Sequence, residues 1–264
     1  MKTEQTLSGR IGVVTGATAG IGLAIAQELV MAGASVVVNG RREAKLREVL
    51  SELGERAHGV AGDAADETVI TRMLDEARAR FGGGTREADL VVVNAGRGLA
   101  GSVVTSDTSQ WEEMIRTNLL GAARLIRAAA VRMLEMGMGR DGPSVFETGP
   151  RDIVVIGSNV GRHISPFSSM YGSTKFAANS LAEAARRELG PRGIRVSLIE
   201  PGFVESEFQG VAGYEAAWFE GVKERIGPTL QPPDVARTLA FIVAQPPSVH
   251  VCDVLIRPTR QDYP

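Results

Sequence analysis

Cysteine occurs once in the 264 residues, at Cys252, so a disulfide within the chain is impossible and no cysteine cage for a metal can be built. Histidine is nearly as scarce. His58, His163 and His250 share no ligand spacing with a carboxylate, so no metal site is expected. Charge of neither sign dominates: 29 Lys+Arg stand against 31 Asp+Glu, a formal net charge of −2. That balance argues against a nucleic-acid partner and against a polybasic membrane patch. No uninterrupted apolar run is long enough to span a bilayer. The opening MKTEQTLSGR is polar and lacks the apolar stretch of a secretory signal. A cytoplasmic enzyme is the expectation. Apolar residues, at 44%, are plentiful enough for a core of useful size. The length suits one α/β domain with a wide sheet.

What is there has a rhythm. Short apolar runs of strand length alternate with longer stretches of helical spacing. Strands are predicted over 11–15, 35–38, 58–61, 90–93, 153–156, 195–199 and 251–256. Helices are predicted over 19–32, 43–53, 67–80, 109–118 and onward to 136, 171–189 and 233–244. The run LVVV at 90–93 is apolar throughout, as a strand buried on both faces should be. Seven strands in repeated β-α-β order imply a doubly wound parallel sheet with helices on both faces. No linker divides the chain. Two segments break the rhythm. Residues 137–152 (GMGRDGPSVFETGPRD) form a Gly/Pro-rich polar loop. Residues 203–228 follow a strand and carry Phe203, Phe208, Tyr214, Trp218 and Phe219. An aromatic excursion at the carboxyl end of a strand is where an α/β protein would place a substrate lid. The alternative is a surface helix packing its aromatics on the core.

The first strand runs into Thr15-Gly16-Ala17-Thr18-Ala19-Gly20-Ile21-Gly22, which opens the first helix. Gly16 permits the tight turn, Gly20 lets the backbone approach a diphosphate, and Gly22 permits close helix–strand packing. Free N–H groups at a helix start favour an anion there. Glycines alone serve geometry in many turns, but here the strand before and the helix after are both present. Thr18, Ala19 and Ile21 share the turn with them.

TGxxxGIG near the N-terminus is similar to the short-chain dehydrogenase/reductase family, and the resemblance continues along the whole chain. Asn94-Ala95-Gly96 matches the family's motif after the fourth strand. Asn118, in RTNLLG, matches its helix asparagine. Ser158 stands 13 residues before Tyr171, and Tyr171-Gly172-Ser173-Thr174-Lys175 matches YxxxK. Pro201-Gly202 matches the pair after the sixth strand. The stretch LIRPTRQ also resembles a branch containing clavulanate-forming and hydroxy-amino-acid dehydrogenases. The resemblance implies a single Rossmann-type domain, with a cofactor half over 8–150 and a catalytic and substrate half over 151–264.

Tyr171 and Lys175 lie four residues apart, so a helix puts both on one face. A tyrosine hydroxyl has an ordinary pKa of about 10, and a nearby ammonium lowers it toward the working range of a general acid/base. The pair suits protonation of a ketone oxygen or deprotonation of an alcohol. Ser158 would hydrogen-bond the same oxygen. By resemblance, Lys175 also binds the nicotinamide ribose, and Asn118 helps carry a proton relay through water.

After the second strand the sequence reads Val38-Asn39-Gly40-Arg41-Arg42. NAD-preferring dehydrogenases commonly carry an acidic residue where Gly40 stands. Without it a 2′-phosphate is not repelled, and Arg41 or Arg42 would pair with one through a planar guanidinium. NADP(H) is therefore the expected cofactor. The resemblance places Asp63 and Ala64 near the adenine and Asn94, Ala95 and Gly96 along the adenosine half. It places Pro201, Gly202, Val204 and Ser206 near the carboxamide.

The expected reaction interconverts a ketone or aldehyde and its alcohol, on a small-molecule substrate. Candidate pocket residues are His163, Phe167, Met170, Phe203, Phe208 and Trp218. An alternative is a 3-oxoacyl carrier-protein reductase, with Arg124, Arg127, Arg132 and Arg140 as a landing patch. A second is a non-enzymatic NADP(H) sensor on the same fold. Family members are usually homotetramers or dimers, assembled through the helices after the fourth and fifth strands. The 137–152 loop between those helices is longer than the family connection.

Overall fold

A computed structural model describes residues 6–136 and 149–263. Seven strands lie parallel in one sheet, in the order β3-β2-β1-β4-β5-β6-β7. They are β1 Ile11–Val14, β2 Ser35–Gly40, β3 Ala57–Ala61, β4 Leu90–Val93, β5 Arg151–Ile156, β6 Ile194–Pro201 and β7 Asp253–Ile256. The helices are α1 Gly20–Met31, α2 Glu43–Leu53, α3 Glu67–Phe81, α4 Trp111–Ile115, α5 Ala122–Glu135, α6 Ser169–Leu189, α7 Phe208–Val211, α8 Ala216–Ile226 and α9 Pro232–Val243. This is the doubly wound Rossmann-type arrangement expected from the alternation of apolar runs. The chain builds outward from β1 to β3, then returns to β4 and builds the other way. That reversal opens a crevice at the carboxyl ends of β1 and β4.

Burial on both faces explains why the central strands read as unbroken apolar runs. Val14, Val154 and Ile156 point into a core shared with α1 and α9. Their neighbours Val13, Ile153 and Val155 point into the opposite core, shared with α3, α5 and α6. Successive side chains of a strand alternate between faces, so one strand feeds both layers. Each such side chain contributes about 1.5–3 kcal/mol on burial.

Several elements depart from their predicted limits; β5 begins two residues early and β6 ends two residues late. The helical stretch up to residue 136 runs on without interruption but changes pitch, as α4, a π-helical segment Arg116–Gly121 and α5. β2 extends to Gly40, because its last residues pair with Val60 and Ala61. β7 begins at Asp253, two residues late. Val251 instead accepts the Ser197 hydroxyl at 2.7 Å. Of the 137–152 loop, residues 137–148 lie outside the described residues, while Arg151 and Asp152 belong to β5. No described helix is long and apolar enough to cross a membrane.

The amino end of the sheet is closed by charge. Arg10 precedes β1 and donates to Asp89 at 2.6 Å and to Asp152 on β5 at 2.8 Å. Arg195 on β6 clasps Asp152 with both arms of its guanidinium, at 2.7 and 2.9 Å. All four side chains are buried. The carboxyl end is left free for loops, and the cavity lies there.

Candidate active site

The glycine turn is shaped by what surrounds it. Gly16 (φ +64°) and Gly20 (φ +54°) occupy left-handed backbone that side chains disfavour. At Gly22, a Cβ would stand 2.3 Å from the Gly16 carbonyl and 2.4 Å from Asn94 Nδ2, so α1 can approach the turn only without one. Asn94 pins the turn, donating from Nδ2 to the Thr15 carbonyl at 2.9 Å and the Gly16 carbonyl at 3.2 Å. The Thr15 hydroxyl accepts the backbone N–H groups of Asn94 and Ala95, each at 3.1 Å. The motif after β4 thus buttresses the motif after β1. Ala19, at the start of α1, offers no side-chain cap, and the first turn holds no acidic residue. Its leading N–H groups stay available to an anion.

β2 ends at Gly40 against Thr18, whose Cγ2 would lie 2.2 Å from a Cβ there. Any side chain at 40, a carboxylate included, would have to displace Thr18. Beyond it Arg41 reaches Glu113 at 3.3 Å, and Arg42 reaches Glu207 at 3.3 Å. Asp63 accepts the Ala65 N–H at 2.9 Å and pairs with Arg116. Burial disfavours the Asp63 carboxylate, but these two donors outweigh it and hold its pKa below the ordinary value.

Across the crevice, β5 delivers Ser158 in extended backbone, ahead of a tight turn over Asn159–Gly161. α6 brings Tyr171 and Lys175 to one buried face with Gly172, Thr174 and Ala178. Tyr171 and Ser158 line the same cavity, and Ser158 Oγ accepts the Val160 N–H at 3.4 Å. Lys175 Nζ donates to the Ile156 carbonyl at 2.9 Å and lies 5.9 Å from the centre of the Tyr171 ring. Burial pushes the Tyr171 hydroxyl above its ordinary value, against the pull of Ser158. Burial also brings the Lys175 ammonium down to about 8. The expectation that Lys175 lowers Tyr171 does not describe this chain on its own. The lysine spends its hydrogen bond on Ile156, and loss of water outweighs the other influences on the phenol.

Asn118 sits in the π-helical segment, behind the cavity wall. Its Oδ1 accepts the Arg97 N–H at 2.8 Å, and its Nδ2 donates to the Arg97 carbonyl at 2.9 Å and to the Thr174 hydroxyl at 3.0 Å. The amide therefore ties the loop after β4 to α6, beside Lys175. Both Nδ2 protons are spent in doing so.

One cavity of about 790 Å³ joins these parts. The glycine turn, Arg41, Arg42, Asp63, Ala64, the Asn94–Gly96 loop, Ser158, Tyr171 and Lys175 all line it, as do Pro201, Gly202, Val204 and Ser206. Of the six pocket residues expected from the sequence, Phe167, Phe203, Phe208 and Trp218 line it. His163 and Met170 do not, and Met170 packs against the small core of Leu99, Met114, Val160 and Tyr171. Segment 203–228 forms α7 and α8. Phe219, Val222 and Ile226 make a miniature core with Phe203. Tyr214 and Trp218 stack at 5.0 Å, and Phe208 tilts against Tyr171 at 5.5 Å. The excursion packs Phe219 in its own small core and turns Phe203, Phe208, Tyr214 and Trp218 to the cavity. Arg97, Glu113, Ser168, Arg225 and Tyr263, which the sequence did not single out, line it too.

Residues 10–215 match the family model described as short chain dehydrogenase. The chain belongs to that family. This short-chain dehydrogenase is 29% identical over 256 residues to an uncharacterized oxidoreductase of Staphylococcus saprophyticus, covering 96% of this chain and 98% of the relative. A Staphylococcus aureus oxidoreductase, also uncharacterized, is 29% identical over 253 residues, with 96% and 98% covered. Among solved structures, the closed form of serine dehydrogenase complexed with NADP+ superposes with a TM-score of 0.83 at 28% identity, over 96% of each chain. An alcohol dehydrogenase from the archaeon Thermococcus sibiricus, complexed with 5-hydroxy-NADP, gives 0.77 at 25% identity, over 97% of this chain and 99% of that one. The 3-ketoacyl-(acyl-carrier-protein) reductase from Brucella melitensis, complexed with NADH, shares the fold, with a TM-score of 0.84 at 24% identity over 96% and 99%.

Proposed function

We propose that this oxidoreductase uses NADP(H) to interconvert a ketone or aldehyde with its alcohol, with Tyr171 as general acid/base. The observation that carries the reading is convergence. An uncapped glycine turn, two arginines after β2 and the Ser158–Tyr171–Lys175 cluster all line one cavity. The cradle fits a dinucleotide: left-handed glycines at 16 and 20 bare the backbone, and no carboxylate stands at 40. The turn from Gly16 to Gly22 would hold the diphosphate, and Arg41 and Arg42 a 2′-phosphate. Asp63, Ala64 and Asn94–Gly96 would flank the adenosine half. Pro201, Gly202, Val204 and Ser206 would meet the carboxamide, and Lys175 a ribose. The nicotinamide, when bound, supplies or takes up the hydride.

The chain's own residues do the rest. Ser158 holds the substrate oxygen, and Tyr171 gives it a proton in reduction and removes one in oxidation. A raised pKa keeps Tyr171 protonated, the state reduction requires. Asn118 acts as a positioning residue, fixing Arg97 and Thr174 on either side of the cluster. Residues 203–228 serve as the lid over the substrate. Exposed Leu120 and Val131, and Phe176 on α6, support assembly of a dimer or tetramer through α5 and α6.

A carrier-protein substrate has less support. Arg124 is engaged with Glu67 and the Ala65 carbonyl, and Arg132 with Asp75 and Glu87. Arg140 lies outside the described residues. No observation favours a non-catalytic sensor, since Ser158, Tyr171 and Lys175 stay together.

The test is turnover of a panel of free ketones and aldehydes with NADPH, with NADH in parallel. NADPH should be preferred. Tyr171→Phe should lower turnover by roughly 10²-fold or more while NADPH binding, read by its fluorescence, is retained. An active Phe variant would overturn the mechanism, and a preference for NADH would overturn the cofactor assignment.

A further inference from the structure

We propose that the substrate carries a free carboxylate, held by Arg225, at a distance from the carbonyl or alcohol presented to Tyr171. This deepens the reading of the cavity as an oxidoreductase site and rests on it. The cavity's three lining carboxylates are each matched by arginine: Asp63 by Arg116, Glu113 by Arg41 and Arg97, and Glu207 by Arg42. Lys175 donates to the Ile156 carbonyl and lies buried beside the Tyr171 ring, within the catalytic cluster. Arg225, exposed on α8, is the lining cation that has neither an ion-pair nor a hydrogen-bond partner among the described residues.

Its place in the fold separates it from the cofactor groove. In α8, Phe219, Val222 and Ile226 form the stripe that seats the helix. Trp218 and Arg225 lie beside that stripe, seven residues apart and hence about 10 Å along the axis. Between them Gly221 has nothing within 4 Å of where a Cβ would stand, so the face between the ring and the guanidinium is open. Trp218 stacks on Tyr214, and Tyr214 and Ser168 line the cavity together with Tyr171, whose ring meets Phe208 at 5.5 Å. From Tyr171 the wall therefore runs through aromatic rings to a cation. Of the hydroxyls on the way, Tyr263 is already engaged with the Ile164 carbonyl.

A guanidinium offers five donors and no acceptor, stays charged at any working pH, and matches a carboxylate in bidentate geometry. The ligand class this wall fits is an oxo acid or hydroxy acid. Its apolar or planar body separates the reacting carbon from the carboxylate.

The probes are 4-acetylbenzoate and a series of straight-chain oxo acids, each beside its primary amide, which keeps the shape and removes the charge. Binding to the NADPH-saturated protein is read by calorimetry, and turnover is read on the same series. In the unaltered protein at least one acid should bind and turn over roughly tenfold or more better than its amide, the scale of a hydrogen bond to a charged group. Arg225→Met should bring that ratio close to one, and Arg225→Lys should restore part of it. Acid-to-amide ratios near one throughout the series, or no carboxylate binding at all, would overturn the proposal. So would an Arg225→Met variant that loses acid and amide alike. If NADPH affinity falls in Arg225→Met, the residue belongs to the cofactor groove and the carboxylate assignment fails, while the oxidoreductase reading stands. If the unaltered protein fails to bind NADPH, that parent reading falls first.

Discussion

Burial moves the two neighbours on α6 in opposite directions on the pH scale. The Tyr171 hydroxyl is pushed up, and the Lys175 ammonium is brought down to about 8 from 10.5. For Lys175 this is also a statement about stability. Between about pH 8 and 10.5 the unfolded chain binds the proton and the folded chain does not, so folding gains as pH rises through that window. Below it the buried ammonium is a standing cost, offset in part by the Ile156 carbonyl. Lys175→Met should therefore raise the melting temperature of the cofactor-free protein at pH 7 by a few degrees, with turnover lost. The gain over the unaltered protein should shrink as pH rises past 8. Melting curves of the pair from pH 6 to 10 check this; a variant less stable at pH 7 would contradict it. The four-residue spacing made this pair legible in the sequence, because a helix converts spacing into a shared face. Arg225 and Tyr263 were not legible. Their approach to the cavity depends on how α8 and the chain end pack, and no local pattern encodes that.

Among the elements, the strands were the most readable, since a strand buried on both faces admits only apolar residues. The change of helical pitch before residue 136 was not. Arg116–Gly121 carries no proline, and its only glycine stands at the end, so nothing in composition marks the π-helical turn that seats Asn118. The stretch LIRPTRQ likewise gained a reason only in three dimensions. Gln261 accepts the Phe203 N–H at 3.0 Å, and its side chain fills the space where a Cβ on Gly202 would stand. It braces the start of the 203–228 excursion. That excursion is also tied to the cofactor side by Arg42 and Glu207, both more than half exposed. An exposed pair of this kind is worth at most about 1 kcal/mol. Glu207→Gln should free Arg42 and tighten NADPH binding by up to about fivefold, leaving NADH binding little changed. Titration of the two cofactors against the variant checks it, and equal tightening of both would show that Arg42 does not read the 2′-phosphate.

For the whole molecule, the two ends of the sheet divide the labour. The amino end carries Arg10, Asp89, Asp152 and Arg195, buried and mutually paired. Removing one partner of such a network leaves an uncompensated charge, at a cost of about 3–5 kcal/mol. Asp152→Asn should thus lower the melting temperature by roughly 10 °C, while KM and kcat of the protein that remains folded stay near their original values. A large loss of kcat at low temperature would show that the two ends are coupled.

The strand order has a consequence for how the crevice comes into being. β1 and β4 are neighbours in the sheet, yet Gly12 pairs with Leu90, across almost a third of the chain. Such distant closures are entropically slow to make. Until β4 docks, the glycine turn has no Asn94 to brace it and no opposite wall, whatever helices have already formed. No contiguous fragment that stops before β4 contains the nucleotide cradle. A ligand that recognises the cradle therefore selects only chains that have completed this long-range closure, and it stabilises the finished sheet over every intermediate on the way to it.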